Sequence, residues 1–422
     1  MVERFKYGFD ATLFPMTSSD EDKATSILFS ILNLIQPFRD DLLKTIGKTA
    51  YKSGNDFTAS LHPSFGGKYS KKDIPDGIIS LDQKEIWSAL VEVKIKGQDL
   101  TAVQLDNYLK RVHQNKLSAL ITISNELCTQ PDMPPLRLKS SNKNYRKIPH
   151  YHWSWRFILH RARILLGSET AISELERSVL AQFVSFLEHE KSGVTGFHSM
   201  PKDWKNFVSK LRDRGTPDQA LCEEVVSSWF QESSELALIL SSDLETEVEE
   251  VFSDDTSERR REHATDIVKT RGDLKAEFKI DGHKYLLSVC LDIDRRTLQF
   301  STRHDLPKTA KTPYKQVEHF LRHFHQDNEE DEWGGHDDVR IFAHWPRVKL
   351  PTDMTMFDAI QHSLDDELKN SKFINPDKDR IMNLELRYTP SKVSSKIESR
   401  KGVISLIEDE IIFFARNYVI LK

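Results

Sequence analysis

Asp76, Glu92 and Lys94 are the residues of this chain whose types and spacing could do chemistry together. Hydrolysing a phosphodiester at neutral pH requires charge neutralisation on the phosphate and an activated water. Hard oxygen ligands holding one or two Mg²⁺ ions supply both, so two carboxylates and a lysine must converge on one spot. In the run IWSALVEVKIKG the two-residue period of a strand puts Val91, Val93 and Ile95 on one face, and Glu92 with Lys94 on the other. Ile74 to Leu81 and Ile86 to Ile95 read as an antiparallel hairpin around Asp82-Gln83-Lys84. Asp76, at the start of the first strand, then falls beside the end of the second. An acid two residues before a lysine says little by itself, since it recurs at Glu21/Lys23, Asp82/Lys84, Asp203/Lys205 and Glu277/Lys279. Glu92 and Lys94 differ from these in company: Pro75-Asp76-Gly77 upstream, an apolar sheet around them and a helix after them. The competing reading is the charged face of an edge strand.

The elements that must position these residues are legible in outline. Ser18 to Lys44 has helical periodicity (Ile27, Leu28, Ile31, Leu34, Ile35), with Ser18 or Ser19 as N-cap. Asp56 to His62 is a strand, and His62 to Lys72, with its Pro and paired Gly, a loop. Thr101 to Gln114 is an amphipathic helix burying Ala102, Leu105, Leu109 and Val112. Gln104 and Tyr108 share one of its faces, although Thr101-x-x-Gln104 is equally a capping box that would give Gln104 a local job. Leu117 to Ser124 is a buried strand, and Thr129 to Pro149 a basic loop.

The pattern PDG…EVK…QxxxY, in the order helix, three strands, helix, strand over roughly residues 15–165, resembles the PD-(D/E)XK nuclease superfamily, especially its RecB-type subset. The resemblance implies a restriction-endonuclease-like mixed four-stranded sheet flanked by helices. Asp76 and Glu92 would coordinate metal, with the Val93 carbonyl as a third ligand, and Lys94 would orient or deprotonate the water. Gln104 and Tyr108 would position the active site or the DNA backbone. Glu21 would supply the acid that many members carry on their first helix, in competition with Asp20 and Asp22. The resemblance further implies Mg²⁺, which Mn²⁺ can replace, and a DNA substrate, with RNA as the alternative because it presents the same bond. The setting implied is prokaryotic restriction or anti-phage defence, and such enzymes often work as homodimers. A non-catalytic binding subunit that keeps the fold is the rival from another class.

Charge is compatible with a nucleic-acid partner for the first part of the chain and equally with a solvated basic face. The net charge of −5 divides into +4 over residues 1–200 and −9 over the rest, and residues 101–163 alone carry +8. A basic stretch of this kind binds phosphates through counterion release. Arg111, Lys143, Arg146, Lys147 and Arg156 are the candidate contacts, while Trp153 and Trp155 read as core residues of a further strand. His319, His323 and His325 have helical ligand spacing, but no Glu or Cys pair completes a zinc motif. No phosphate-binding GK[ST] loop is present.

At 422 residues the chain is long enough for two or three domains. The fold class expected is α/β (α+β). Residues 1–165 form the nuclease-like domain, 166–260 a helical region ending in an acidic linker or exposed helix, and 261–422 an α+β accessory domain for substrate or protein partners. Asp281-Gly282 marks a hairpin in the last of these. No apolar run approaches the roughly 20 residues of a membrane span. The amino terminus lacks a signal-peptide core, and three scattered cysteines fit reduced thiols, so a cytoplasmic protein is expected.

Overall fold

The computed structural model describes residues 9–17, 19–47, 56–65, 74–82, 87–96, 100–128, 131–132, 134, 145, 147–168, 172–252, 257–306, 310–325, 338–391 and 393–420. The chain is mixed α/β with two sheets, and it divides into two units, Met1–Phe197 and His198–Lys422.

In the first unit β1 (Phe9–Asp10), α1 (Asp20–Leu34) and α2 (Gln36–Lys44) precede β2 (Asp56–Leu61), β3 (Gly77–Asp82) and β4 (Trp87–Val93). There follow α3 (Ala102–Gln114), β5 (Ala119–Ser124), β6 (His150–Ser154), α4 (Trp155–Gly167) and α5 (Glu174–Glu188). The six strands lie side by side in chain order. Strands β1 to β4 are antiparallel, whereas β4, β5 and β6 run parallel. The single helix expected over Ser18–Lys44 is two helices, because Pro37 has no N–H to continue the first and stands instead in the opening turn of the second. Ser19 is the N-cap, its Oγ accepting the Asp22 N–H at 3.2 Å.

The mixed sheet expected of the first unit is present, with two strands more than the four-stranded core. One face packs Ile79, Val91, Val93, Ile121 and Trp153 against α1, α2, α4 and α5. The other packs Leu90 and Leu120 under Leu105, Tyr108 and Leu109 of α3. Helix α5 packs against α4 and α1, so the helical region expected as a separate segment at 166–260 is instead shared between the two units. Periodicity identifies a helix but says nothing of which core its apolar stripe joins.

The second unit contains α6 (Trp204–Arg212), α7 (Gln219–Asp243), β7 (Val248–Glu250), α8 (Ser257–Arg271), β8 (Asp273–Ile280), β9 (Leu287–Asp292) and β10 (Thr297–His304). It continues with α9 (Pro313–His325), β11 (Val339–His344), β12 (Thr352–Thr355), α10 (Met356–Leu364), β13 (Asn383–Tyr388), α11 (Val393–Lys396) and α12 (Gly402–Phe414). Its sheet is antiparallel, in the order β12-β11-β13-β10-β9-β8-β7. Part of the acidic linker is therefore a strand: Val248 and Glu250 point inward on β7, and β7 adds to the edge of β8. Among the described residues no helix is long and apolar enough to cross a membrane.

Glu232 of α7 is fully buried, and neither carboxylate oxygen has a partner among the described residues. Burial, reinforced by Glu408 and Glu235, holds its pKa well above the ordinary glutamate range. The native state thus keeps a proton that the unfolded chain releases. Stability contributed below the unfolded pKa is lost as pH rises toward the native one. Glu232→Met is expected to remove that slope and to raise stability at neutral pH by about 1–2 kcal/mol, as read by urea unfolding at pH 5 and pH 8.

Candidate active site

Strand register brings the carboxylates together. Gly77 pairs with Val91, so Asp76 stands opposite the end of β4, where its Oδ2 accepts the Val93 N–H at 2.7 Å. Glu92 shares the α3-facing side of the sheet with Leu90, and it is only 2% exposed. The Lys94 Nζ donates to Glu92 Oε1 at 2.8 Å, to Glu21 Oε1 at 2.9 Å and to the Val93 carbonyl at 2.9 Å. Of the three acids in the first turn of α1, Glu21 is the one at this lysine. Asp20 pairs with Lys96, and Asp22 lies 3.6 Å from His62.

Two backbone contacts fix the lysine. Its N–H donates to the Ile123 carbonyl at 2.7 Å, and the buried Trp155 indole donates to its carbonyl at 3.0 Å. Trp153 and Trp155 are fully buried, as a core role requires. Trp155 nonetheless acts on the site through that hydrogen bond, a role without a sequence signal beyond the need of a buried indole for an acceptor. The sequence reading also missed Thr122 and His152. Register aligns Glu92, Thr122 and His152 in one row across β4, β5 and β6. The Thr122 hydroxyl lies 2.9 Å from His152 Nδ1, and His152 Nε2 lies 2.7 Å from the Glu126 carbonyl.

The electrostatics are those of charges packed out of water. Burial, then the neighbouring Glu92, pushes Asp76 well above the ordinary carboxylate range. Burial also raises Glu92, against the opposing pull of Lys94 and of the Tyr108 hydroxyl. For Lys94 desolvation works downward, but Glu92 and Asp76 outweigh it and hold the ammonium above its usual value. Lys94 is therefore a firmly protonated cation among carboxylates, poised to donate hydrogen bonds.

The donor set suits a hard cation. Among the described residues Glu92 Oε2 and Glu21 Oε2 are buried without partners, an expensive state for carboxylate oxygens unless something positive approaches them. Among the described residues no group of three or more His, Cys, Asp and Glu side chains forms a ready-made ion cage. Mg²⁺ does not need one, since it keeps several waters and takes one or two carboxylates.

No family model, curated protein or solved structure matched this chain when it was compared with each. The site accordingly stands on its own geometry.

The remaining sequence candidates separate clearly. Gln104 is spent on the cap of α3: its Oε1 accepts the Thr101 N–H at 3.0 Å, and its own N–H donates to Thr101 Oγ1 at 3.2 Å. Tyr108, expected to position the active site or the DNA backbone, is 6% exposed and faces Glu92. Arg111 is likewise buried on α3, away from a surface contact. Lys147 is exposed but precedes β6, at the opposite end of the parallel strands from Lys94. Arg156, half-buried in the first turn of α4, lies at the Lys94 end, because Ser154 pairs beside Ser124. Lys143 and Arg146 lie outside the described residues. Gln104→Ala is expected to cost about 0.5–1 kcal/mol of stability and leave activity intact. Tyr108→Phe should instead lower activity about 10–100-fold, with urea unfolding and DNA cleavage as the paired readouts.

Proposed function

We propose that the first unit is a Mg²⁺-dependent nuclease that hydrolyses DNA phosphodiester bonds. The observation that carries this reading is the convergence of Asp76, Glu92, Lys94 and Glu21 around the Val93 carbonyl at the end of a buried strand. A structural ion pair would need one acid and one base. Here three carboxylates crowd a single lysine, two of their oxygens are without partners among the described residues, and the acids come from three separate segments.

In this reading Asp76, Glu92 and the Val93 carbonyl hold the ion, with Glu21 at the margin. The bound cation would supply charge for the phosphate and lower the pKa of water. Lys94, kept protonated by its carboxylates, orients the attacking water and donates to a phosphoryl oxygen. The Tyr108 hydroxyl favours the charged form of Glu92 against the effect of burial, and Trp155 fixes the backbone that carries Lys94. Arg156 would meet the substrate backbone.

The test is incubation of supercoiled and linear DNA, and of RNA of matching sequence, with purified protein in Mg²⁺, Mn²⁺ or EDTA. Metal-dependent nicking of DNA supports the proposal, and cleavage of RNA alone would transfer the same chemistry to that substrate. Absence of cleavage together with absence of Mn²⁺ binding by calorimetry would leave a non-catalytic fold.

A further inference from the structure

The chain between β1 and α1 presents two apolar side chains beside the candidate active site. Phe14 is 84% exposed and Met16 fully so. Leu13 and Pro15, which alternate with them, are half-buried, Leu13 against the core of the first unit. The segment is tied to α1 at both ends. The Thr12 N–H donates to Ser26 Oγ at 2.9 Å, and that hydroxyl donates back to the Thr12 carbonyl at 2.9 Å. Thr17 Oγ1 donates to Asp22 Oδ2 at 3.4 Å and accepts the Ser19 N–H at 3.2 Å. Asp22 adjoins Glu21, whose carboxylate meets Lys94. Met16 therefore stands one residue from a contact to the turn of α1 that enters the site.

A phenylalanine and a methionine left in water forgo the stabilisation of burial, and here the threonine anchors and Leu13 hold them outward. Pro15 fixes its own φ and keeps Phe14 out of the helical region, so the backbone that carries both side chains is extended before any ligand arrives. Two residues along an extended chain span about 6–7 Å, about twice the 3.4 Å rise between successive bases of a strand. One base fits between Phe14 and Met16 with a face against each. The neighbouring acids do not repel a strand unopposed, for Asp20 pairs with Lys96 and Glu21 with Lys94.

We infer that Phe14 and Met16 clasp one unpaired base of the DNA strand that reaches Lys94, and that the substrate is DNA with single-stranded character beside the cleavage point. The inference rests on the nuclease reading of the neighbouring site. Stacking of this kind accepts any base. A base inside a duplex has both faces covered by its neighbours, so only an unstacked one can enter.

The experiment is fluorescence anisotropy of the full chain in EDTA, so that no strand is cut, with a labelled single strand and the corresponding duplex. Quenching of 2-aminopurine placed along the single strand is read beside it. The protein should bind the single strand more tightly than the duplex and quench the probe. The double change Phe14→Ala/Met16→Ala should weaken single-strand binding at least about tenfold, abolish the quenching and leave duplex binding unaltered. The unfolding midpoint should not move, because both side chains are exposed. Phe14→Trp should retain single-strand binding, and Phe14→Leu, equally apolar but not flat, should lose it. Wild-type binding of the single strand by the double variant, or by Phe14→Leu, would overturn the inference. So would self-association of the wild type that the double variant loses in sedimentation, since the patch would then join two copies of the chain. Mg²⁺-dependent cleavage without quenching would remove this inference and leave the nuclease reading, whereas quenching without cleavage would leave the base contact and remove the nuclease.

Discussion

Replacing Lys94 by alanine is expected to reduce metal-dependent DNA cleavage by about 10²–10³-fold, the loss that follows removal of a preorganised donor from a buried reacting centre. Lys94 is the sole cation within hydrogen-bonding distance of Glu92 among the described contacts, and it touches Glu21 and the Val93 carbonyl as well. Lys94→Arg should recover little, because a planar fork cannot occupy the point between two carboxylates that an ammonium fills. Mn²⁺ binding separates the roles of the residues. Calorimetry should show it retained in Lys94→Ala and lost in Asp76→Asn and Glu92→Gln, with thermal unfolding confirming that each variant is folded. Cleavage by Lys94→Ala at the wild-type rate would refute the proposed mechanism.

Gly77→Val is expected to destabilise the first unit by about 2–3 kcal/mol, although valine is ordinarily welcome in a strand. The reason is steric. A Cβ at Gly77 would run into the Phe29 ring of α1 and come within 3.1 Å of the Ser60 carbonyl. Phe29 is fully buried and cannot swing away without opening the core. A double-mutant cycle with Phe29→Leu, followed by urea unfolding, should show the two changes to be less costly together than their separate costs added. Strict additivity would mean that the glycine is there for another reason. The same contact explains why Gly77 follows Asp76: helix α1, which carries Glu21 to the site, packs directly over the start of β3.

Much of the first unit was legible because its signals are local. Period-2 alternation put Glu92 and Lys94 on one face, and the hairpin set Asp76 opposite them. The spacing Thr101-x-x-Gln104 allowed two roles, and the structure gives Gln104 the local one, since a side chain three residues from its cap needs no tertiary help to reach it. In the second unit the Asp281-Gly282 hairpin also appears as expected. Strand β7, by contrast, is acidic and short, and it exists because β8 offers it an open edge.

Types and spacing in the sequence alone therefore determined which residues could hold a cation and on which faces of their elements they lie. Tertiary structure decided the rest, because long-range packing is not encoded in any window of residues. It chose Glu21 from three adjacent acids, turned Tyr108 and Arg111 inward and set Trp155 behind the lysine.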